Sequence, residues 1–385
     1  MWPATTHHEQ MWRRSVHHPP EGTYHAAVIP TIADHQLPPV STDTGLLITQ
    51  ASTALVRLDA TVDAQPAAHR RALVAAFTAL EAVHSSALEH ITTTPAAFYT
   101  AALTDIGGYD LAADNAAALT TALTTPAATP PLHALNAIHS HLLGPTQRVN
   151  AGRWRAHQVW IGPPGSTPQH ATYVPPIHTD LPAALDDLAE FATHTHGAAL
   201  ATLAISYAHL EAIHPYSDDN GRAGRAWISH LATRWRALTT IPAPLAIGLA
   251  ADPNAHIAAL QDYRAGNAEP IIALCASATL TGIAALTDLM AELTAVATRM
   301  RDQLAEFGVR NDSSAWGIVD YLVGHPVTTN SAAAAAVGID RTNGYKALHN
   351  LADAGVVKPS THLVRDRFPA WEATEVLATM QRHFP

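Results

Sequence analysis

The run His214-Pro215-Tyr216-Ser217-Asp218-Asp219-Asn220-Gly221-Arg222-Ala223-Gly224-Arg225 is dense in polar groups and lies between two apolar stretches. It constrains the chain more than any other segment. From Leu200 to Ile213 the apolar residues read as a helix that delivers a histidine into a short loop. Beyond the loop a second helix opens with arginines one turn apart, and Trp227, Leu231 and Trp235 recur at spacing four to pack it.

The same helical spacing recurs along most of the chain. It predicts helices over 45–58 and 66–92, the second carrying Leu73, Phe77, Leu80, Val83 and Leu88 and stopped by Thr92-Thr93-Thr94-Pro95, then over 96–105, 114–124 and 131–143. Helices resume over 181–212, 222–237, 253–265 and 269–306. Between Arg148 and Pro176 the pattern changes. Residues 155–162 and 171–174 flank the turn-rich Pro163-Pro164-Gly165-Ser166-Thr167-Pro168 and predict a β-hairpin with a long tip. Residues 1–45 hold six prolines and little periodicity, which predicts an extended arm with little regular structure. Near the end, helices over 314–323, 330–337 and 340–353, closed by Gly355 and followed by Val356-Val357, suggest a winged helix. The chain thus reads as mostly α, in four parts: the arm 1–45, an N-terminal helical region 46–145, a core 146–306 and a winged-helix-like unit 313–385.

Composition narrows the function classes. Hydrophobic residues make up 48% of the 385 and charged residues 14%, enough apolar material for buried cores. A lone cysteine, Cys275, excludes an internal disulfide framework and any multi-cysteine metal site, and makes the cytoplasm the default location. The formal charge of −10 argues against a surface that grips nucleic acid throughout. Arg341, Lys346, Lys358, Arg365 and Arg367 leave only a weak local footprint on the last unit, where DNA reading, recruitment of a protein target and dimerisation all stay open. The start has no secretory pattern, and 270–287, short and rich in hydroxyls, reads as a buried helix rather than a membrane anchor.

The polar run carries the chemistry. Backbone N–H groups at a helix N-terminus attract anions, and Gly221 lets a phosphate approach the backbone closely. Arg222 and Arg225, three apart, are neighbours on the helix surface where guanidinium forks can hold further phosphate oxygens. Asp218 suits Mg²⁺, which takes one or two carboxylates together with phosphate oxygens. His214 is left as the general base.

At seven positions (His214, Pro215, Asp218, Asn220, Gly221, Arg222 and Arg225) the run resembles the Fic signature, His-Pro-Phe-x-Asp-Gly-Asn-Gly-Arg-x-x-Arg. Tyr216 replaces its Phe and Asp219 its first Gly. Aspartate tolerates a left-handed backbone, but its charge repels a triphosphate unless it faces solvent or metal. Ser85 and Glu89 resemble the family's inhibitory motif, Ser/Thr-x-x-x-Glu-Gly/Asn, with His90 at the last position. Gly152-Arg153-Trp154-Arg155 and Thr172-Tyr173-Val174 resemble the stretch before the target-docking flap and the flap itself.

The resemblance implies a Fic-type helical core with one β-hairpin flap and a C-terminal winged-helix-like domain. It also implies self-inhibited transfer of AMP from ATP to a Ser, Thr or Tyr hydroxyl of a target protein, or of the chain itself, with ATP and Mg²⁺ as cofactors. Run with water, the same site would remove AMP. In this reading His214 is the base and Asp218 the metal ligand, while Asn220, Gly221, Arg222 and Arg225 hold phosphates. Glu89 pairs with Arg225 at the γ-phosphate position. Two alternatives remain: an inactive nucleotide-sensing or DNA-binding regulator on the same fold, and a phosphotransferase, against which Gly221 speaks. A homodimer is a further expectation, and a membrane partner is not expected.

Overall fold

The computed structural model describes residues 2–12, 21–103, 110–143, 148–360 and 370–385. Strands β1 (Thr6–Trp12) and β2 (Gly22–Val28) pair antiparallel, with Thr6 opposite Val28 and Trp12 opposite Gly22. The arm was expected to lack regular structure; this hairpin corrects that reading. Its stability comes from tertiary contact: Tyr24 and Ala26 are buried with Val174, against Trp12, Trp160, Ala171 and Ile177. A stretch such as Gly-Thr-Tyr-His-Ala-Ala-Val shows too little apolar alternation to announce this.

Helices α1 (Thr42–Asp63), α2 (Ala67–Ala87), α3 (Pro95–Ala101), α4 (Leu111–Thr124) and α5 (Pro131–His139) follow. Ser41, Thr94 and Asp110 cap α1, α3 and α4 with side-chain oxygens. α2 stops at Ala87, five residues before the predicted end. Ile91 N–H reaches back to the Ser86 carbonyl, and His90 adopts φ +60°, so Glu89 lies in a tight turn and not on the helix.

The predicted hairpin of 155–174 is also corrected. Among the described residues one bridge, Ile161 with Tyr173, holds it, and its tip contains a short 3₁₀ turn, Pro168–His170. The single helix expected over 181–212 is two, α6 (Leu181–Phe191) and α7 (Ala199–Ile213). They are separated where the His196 ring turns back to stack on Phe191 and its backbone N–H donates to Thr202 Oγ1.

The remaining elements are α8 (Asn220–Arg234), α9 (Ala246–Leu249), α10 (Pro253–Arg264), α11 (Glu269–Glu306), α12 (Ala315–Gly324), β3 (Val327–Thr329), α13 (Asn330–Val337), α14 (Arg341–Asp353), β4 (Lys358–Pro359), β5 (Ala370–Glu372) and α15 (Thr374–His383). The last strands form an antiparallel sheet in the order β3-β5-β4. Arg365 and Arg367 lie outside the described residues.

α11, 38 residues long, is long and apolar enough to cross a membrane by length and composition alone. In this fold it packs against α1, α7, α9, α10, α12 and α15, and Ile272, Leu286, Leu293 and Leu304 are among its buried residues. α2 contacts α4, α8, α9 and α12, which sets it alongside α8. Two buried carboxylates tie the bundle to its loops. Glu81 of α2 accepts from the N–H groups of Leu245, Ala246 and Ile247 at the start of α9. Asp59 of α1 accepts from Thr239 N and Oγ1, Thr240 N and Ile241 N at 2.7–3.0 Å.

Asp59→Ala strands four donors in a site that is 7% exposed. We expect a loss of about 3 kcal/mol of unfolding free energy in urea titration. A loss near zero would show that water replaces the carboxylate.

Candidate active site

α7 is buried on nearly every side, so its C-terminal end is held rigidly. His214 caps it in the left-handed conformation, φ +51°, which turns the chain sharply into the polar loop. Asp219 repeats that conformation at φ +61° just before α8 begins. Asp219 stands where the signature it resembles has glycine, and His90 where the inhibitory motif has glycine or asparagine; both take a positive φ.

Asn220 closes the loop. Its side-chain oxygen accepts from Tyr216 N at 2.8 Å and its amide donates to Tyr216 O at 3.0 Å. A buried amide bonded through both its oxygen and its nitrogen to the Tyr216 backbone shapes the loop. Tyr216 places its extra hydroxyl on Asn136 Oδ1 at 2.7 Å and stacks on His139 with ring centres 3.6 Å apart. The His139 ring accepts from Gly152 N through Nδ1, so its Nε2–H donates to the Asp218 carbonyl. Arg155, from the predicted pre-flap stretch, donates to the carbonyls of His214 and Pro176 at 2.9 and 2.6 Å, and its own backbone N–H donates to Pro215 O. His139, Asn136 and Arg155 are thus the braces of the loop. Of these, Arg155 alone carried a sequence signal.

Arg222 makes contacts that its spacing in the sequence did not indicate. Its guanidinium is enclosed by the Asp219 carboxylate, Leu111 O at 2.9 Å and Leu142 O at 3.5 Å, with 2% of the side chain exposed. Four of its five N–H groups are committed to protein acceptors, so Arg222 ties the start of α8 to the loop and to the residues after α5. The same pair answers the question of the Asp219 charge. Burial raises the Asp219 carboxyl to about 6 against the pull of Arg222, and its oxygen faces that arginine.

Arg225 points toward the end of α2 and the turn that follows it. Its Nε and Nη2 donate to Ser85 Oγ at 2.9 Å and Ser85 O at 2.8 Å, and Nη2 pairs with Glu89 Oε1 at 3.0 Å. Burial pushes the Glu89 carboxyl up, but the charge and hydrogen bond of Arg225 outweigh it, and the group ends below its usual range. A Cβ on Gly221 would lie 2.3 Å from Glu89 Oε1, so this carboxylate rests directly on the N-terminal turn of α8. That is the anion position of the helix, whose first N–H groups have no intrahelical acceptor.

Burial, and then repulsion by Arg155, lower the His214 imidazole to about 4, so it is neutral near pH 7 and able to take a proton. Asp218 is exposed beside it, one oxygen accepting from Asp219 N. No group of three or more metal-ligating side chains occurs among the described residues. The donor set fits Mg²⁺ only with ligand oxygens completing the shell. Of the flap residues, Tyr173 turns its hydroxyl inward to Ala212 O at 2.6 Å beneath the Arg264 guanidinium, and Thr172 N and Tyr173 N both donate to Ile161 O. Val174 O accepts from Ala27 N, so β2 occupies that point of the flap.

The Asp219–Arg222 pair makes Asp219→Gly a test of stability. The variant leaves a buried guanidinium without its anion, which should cost about 3 kcal/mol in denaturant titration. Unchanged stability would mean that Arg222 finds other acceptors.

Residues 129–232 match the Fic/DOC family. A Fic family protein from Desulfovibrio desulfuricans G20 is similar in structure, with TM-score 0.52 and 17% identity over 88% of this chain and 98% of that one. Fic-1 from C. elegans gives TM-score 0.47 and 17% identity over 64% and 73% of the two chains. A search of the curated proteins finds no match. The loop that carries His214, Asp218 and Gly221, with the arginine of its final position turned onto Ser85 and Glu89, lies in the matched segment, and the chain carries a Fic/DOC family domain at residues 129–232.

Proposed function

We propose that the protein transfers AMP from ATP to a hydroxyl side chain of a target protein, and that Glu89 holds it inhibited. The observation that carries this reading is the Glu89 carboxylate on Gly221 in a hydrogen-bonded ion pair with Arg225, beside a neutral His214. An anion already sits where a terminal phosphate would go, and it is supplied by the chain itself.

The N–H groups at the start of α8 cradle phosphate oxygens, Gly221 allows their close approach, and Arg225 takes the outer phosphate once Glu89 withdraws. Asp218 would hold Mg²⁺, which supplies neutralisation of phosphate charge. The target hydroxyl attacks the α-phosphorus, its proton passes to the His214 imidazole, the bond to the bridging oxygen breaks and pyrophosphate leaves. Placement in line and charge stabilisation account for most of the acceleration. For the C-terminal unit, the order helix, strand, helix, helix, strand, strand over α12–β5 supports a winged-helix-like module.

Incubation with ATP labelled at the α- or the γ-phosphate tests the reaction. We expect α-label alone on protein, reduced by at least about 100-fold in His214→Ala. Transfer of γ-label would identify a phosphotransferase, and full activity of His214→Ala would remove that residue from the mechanism.

Inhibition is tested separately. Glu89→Gly should raise α-label transfer on the order of tenfold or more, because it removes a carboxylate that repels the terminal phosphate. Adding Arg225→Ala should abolish the gain. Equal rates for Glu89→Gly and the unaltered chain would end the inhibitory assignment.

A further inference from the structure

Arg225 is held from two sides of unequal permanence. Ser85 and Glu89, at the end of α2, supply the contacts to Nε and Nη2. From the family domain itself, Nη1 donates to Tyr207 Oη at 3.3 Å. Withdrawal of Glu89 would remove the one ion pair within 4 Å that the described residues make with this guanidinium. It would leave Ser85 on Nε and Nη2, and Tyr207 as the contact to Nη1 that comes from the family domain.

A guanidinium only donates, so Tyr207 must accept, and its own proton must go elsewhere. His256 of α10 is the acceptor: its Nε2 lies 2.9 Å from Tyr207 Oη, with the two rings stacked at 5.7 Å between centres. Tyr207 is 0% exposed and His256 7%. Gly224 brings α8 against the tyrosine, since a Cβ there would meet the ring at 3.3 Å. Burial, and then repulsion by Arg225, lower His256 to about 4, which keeps the imidazole neutral and its Nε2 able to accept.

We infer that Tyr207, oriented by His256, is the positioning residue that keeps Arg225 aimed at the outer phosphate after Glu89 has given way. The pair acts through Arg225 and touches neither nucleotide nor target. Tyr207 donates its hydroxyl hydrogen bond to His256 Nε2 and so presents a lone pair to Nη1, which holds one arm of the fork while Nη2 is paired with Glu89. The inference rests on the nucleotide reading proposed above and extends it to two residues outside the polar loop, His256 lying beyond the matched segment 129–232.

Calorimetric titration of the full chain with Mg²⁺-ATP and with Mg²⁺-ADP, all in the Glu89→Gly background, tests it. Adding Tyr207→Phe should weaken ATP about tenfold, the equivalent of one charge-assisted hydrogen bond. ADP, which lacks the outer phosphate, should change less than about twofold on the same argument. His256→Phe should give a smaller loss confined to ATP, and His256→Gln, whose amide oxygen can still accept, should restore most of it. Unchanged ATP affinity in the Tyr207→Phe variant, or equal losses for ATP and ADP, would overturn the assignment. Absence of binding for both nucleotides already in Glu89→Gly would instead overturn the nucleotide reading, and this inference with it.

Discussion

The buried guanidinium of Arg225 is the point on which the arrangement turns. Only 2% of its side chain is exposed, so the charge requires an anion or a full set of acceptors nearby. Ser85, Glu89 and Tyr207 meet that requirement, and in doing so they join the end of α2, α7 and α8. The packing of α2 against α4, α8, α9 and α12 then has a chemical consequence: it delivers one carboxylate onto Gly221. Burial of a cation and occupation of an anion site are here the same contact.

Around that contact the loop is shaped by backbone conformation as much as by charge. His90, His214 and Asp219 are non-glycine residues at positive φ within a few residues of the site. Histidine and aspartate enter that region more readily than branched or bulky residues, so the turns persist without glycine. Asp219 goes further, because its carboxylate joins Arg222 in an internal pair. A charge that would oppose a triphosphate becomes the anchor of α8. The two arginines of the signature thereby take different anions: Arg222 the Asp219 carboxylate and Arg225 the Glu89 carboxylate.

The arm contributes from outside the domain. Trp2 is buried against Phe191 and Tyr263, and Thr5 N–H donates to the carbonyl of Arg264, whose guanidinium covers Tyr173. β2 then reaches the flap through Ala27 and Val174. The residues that enclose His214 are accordingly tied to the start of the chain through a sequence of close contacts, and the flap depends on β2 for a strand neighbour because its own pairing is a single bridge.

Local signals were sufficient for much of this. Helical periodicity and capping residues located most helices, and α11 has the predicted bounds 269–306 because its apolar stripe is uninterrupted. The order of His214, Asp218, Gly221 and Arg225 sufficed to mark the polar loop, since its chemistry is contiguous in the chain. What the sequence could not decide depends on partners distant along it. Which acceptors Arg222 and Arg225 take is settled by Leu111 and Leu142 on one side and by Ser85 on the other. Asn220, His139 and Tyr207 have roles set by Tyr216, Asp218 and His256. The β1–β2 hairpin forms because Val174 lies beside Tyr24 and Ala26. A residue type and its spacing determine which hydrogen bonds are available; only the packed fold determines which acceptor lies within 3 Å.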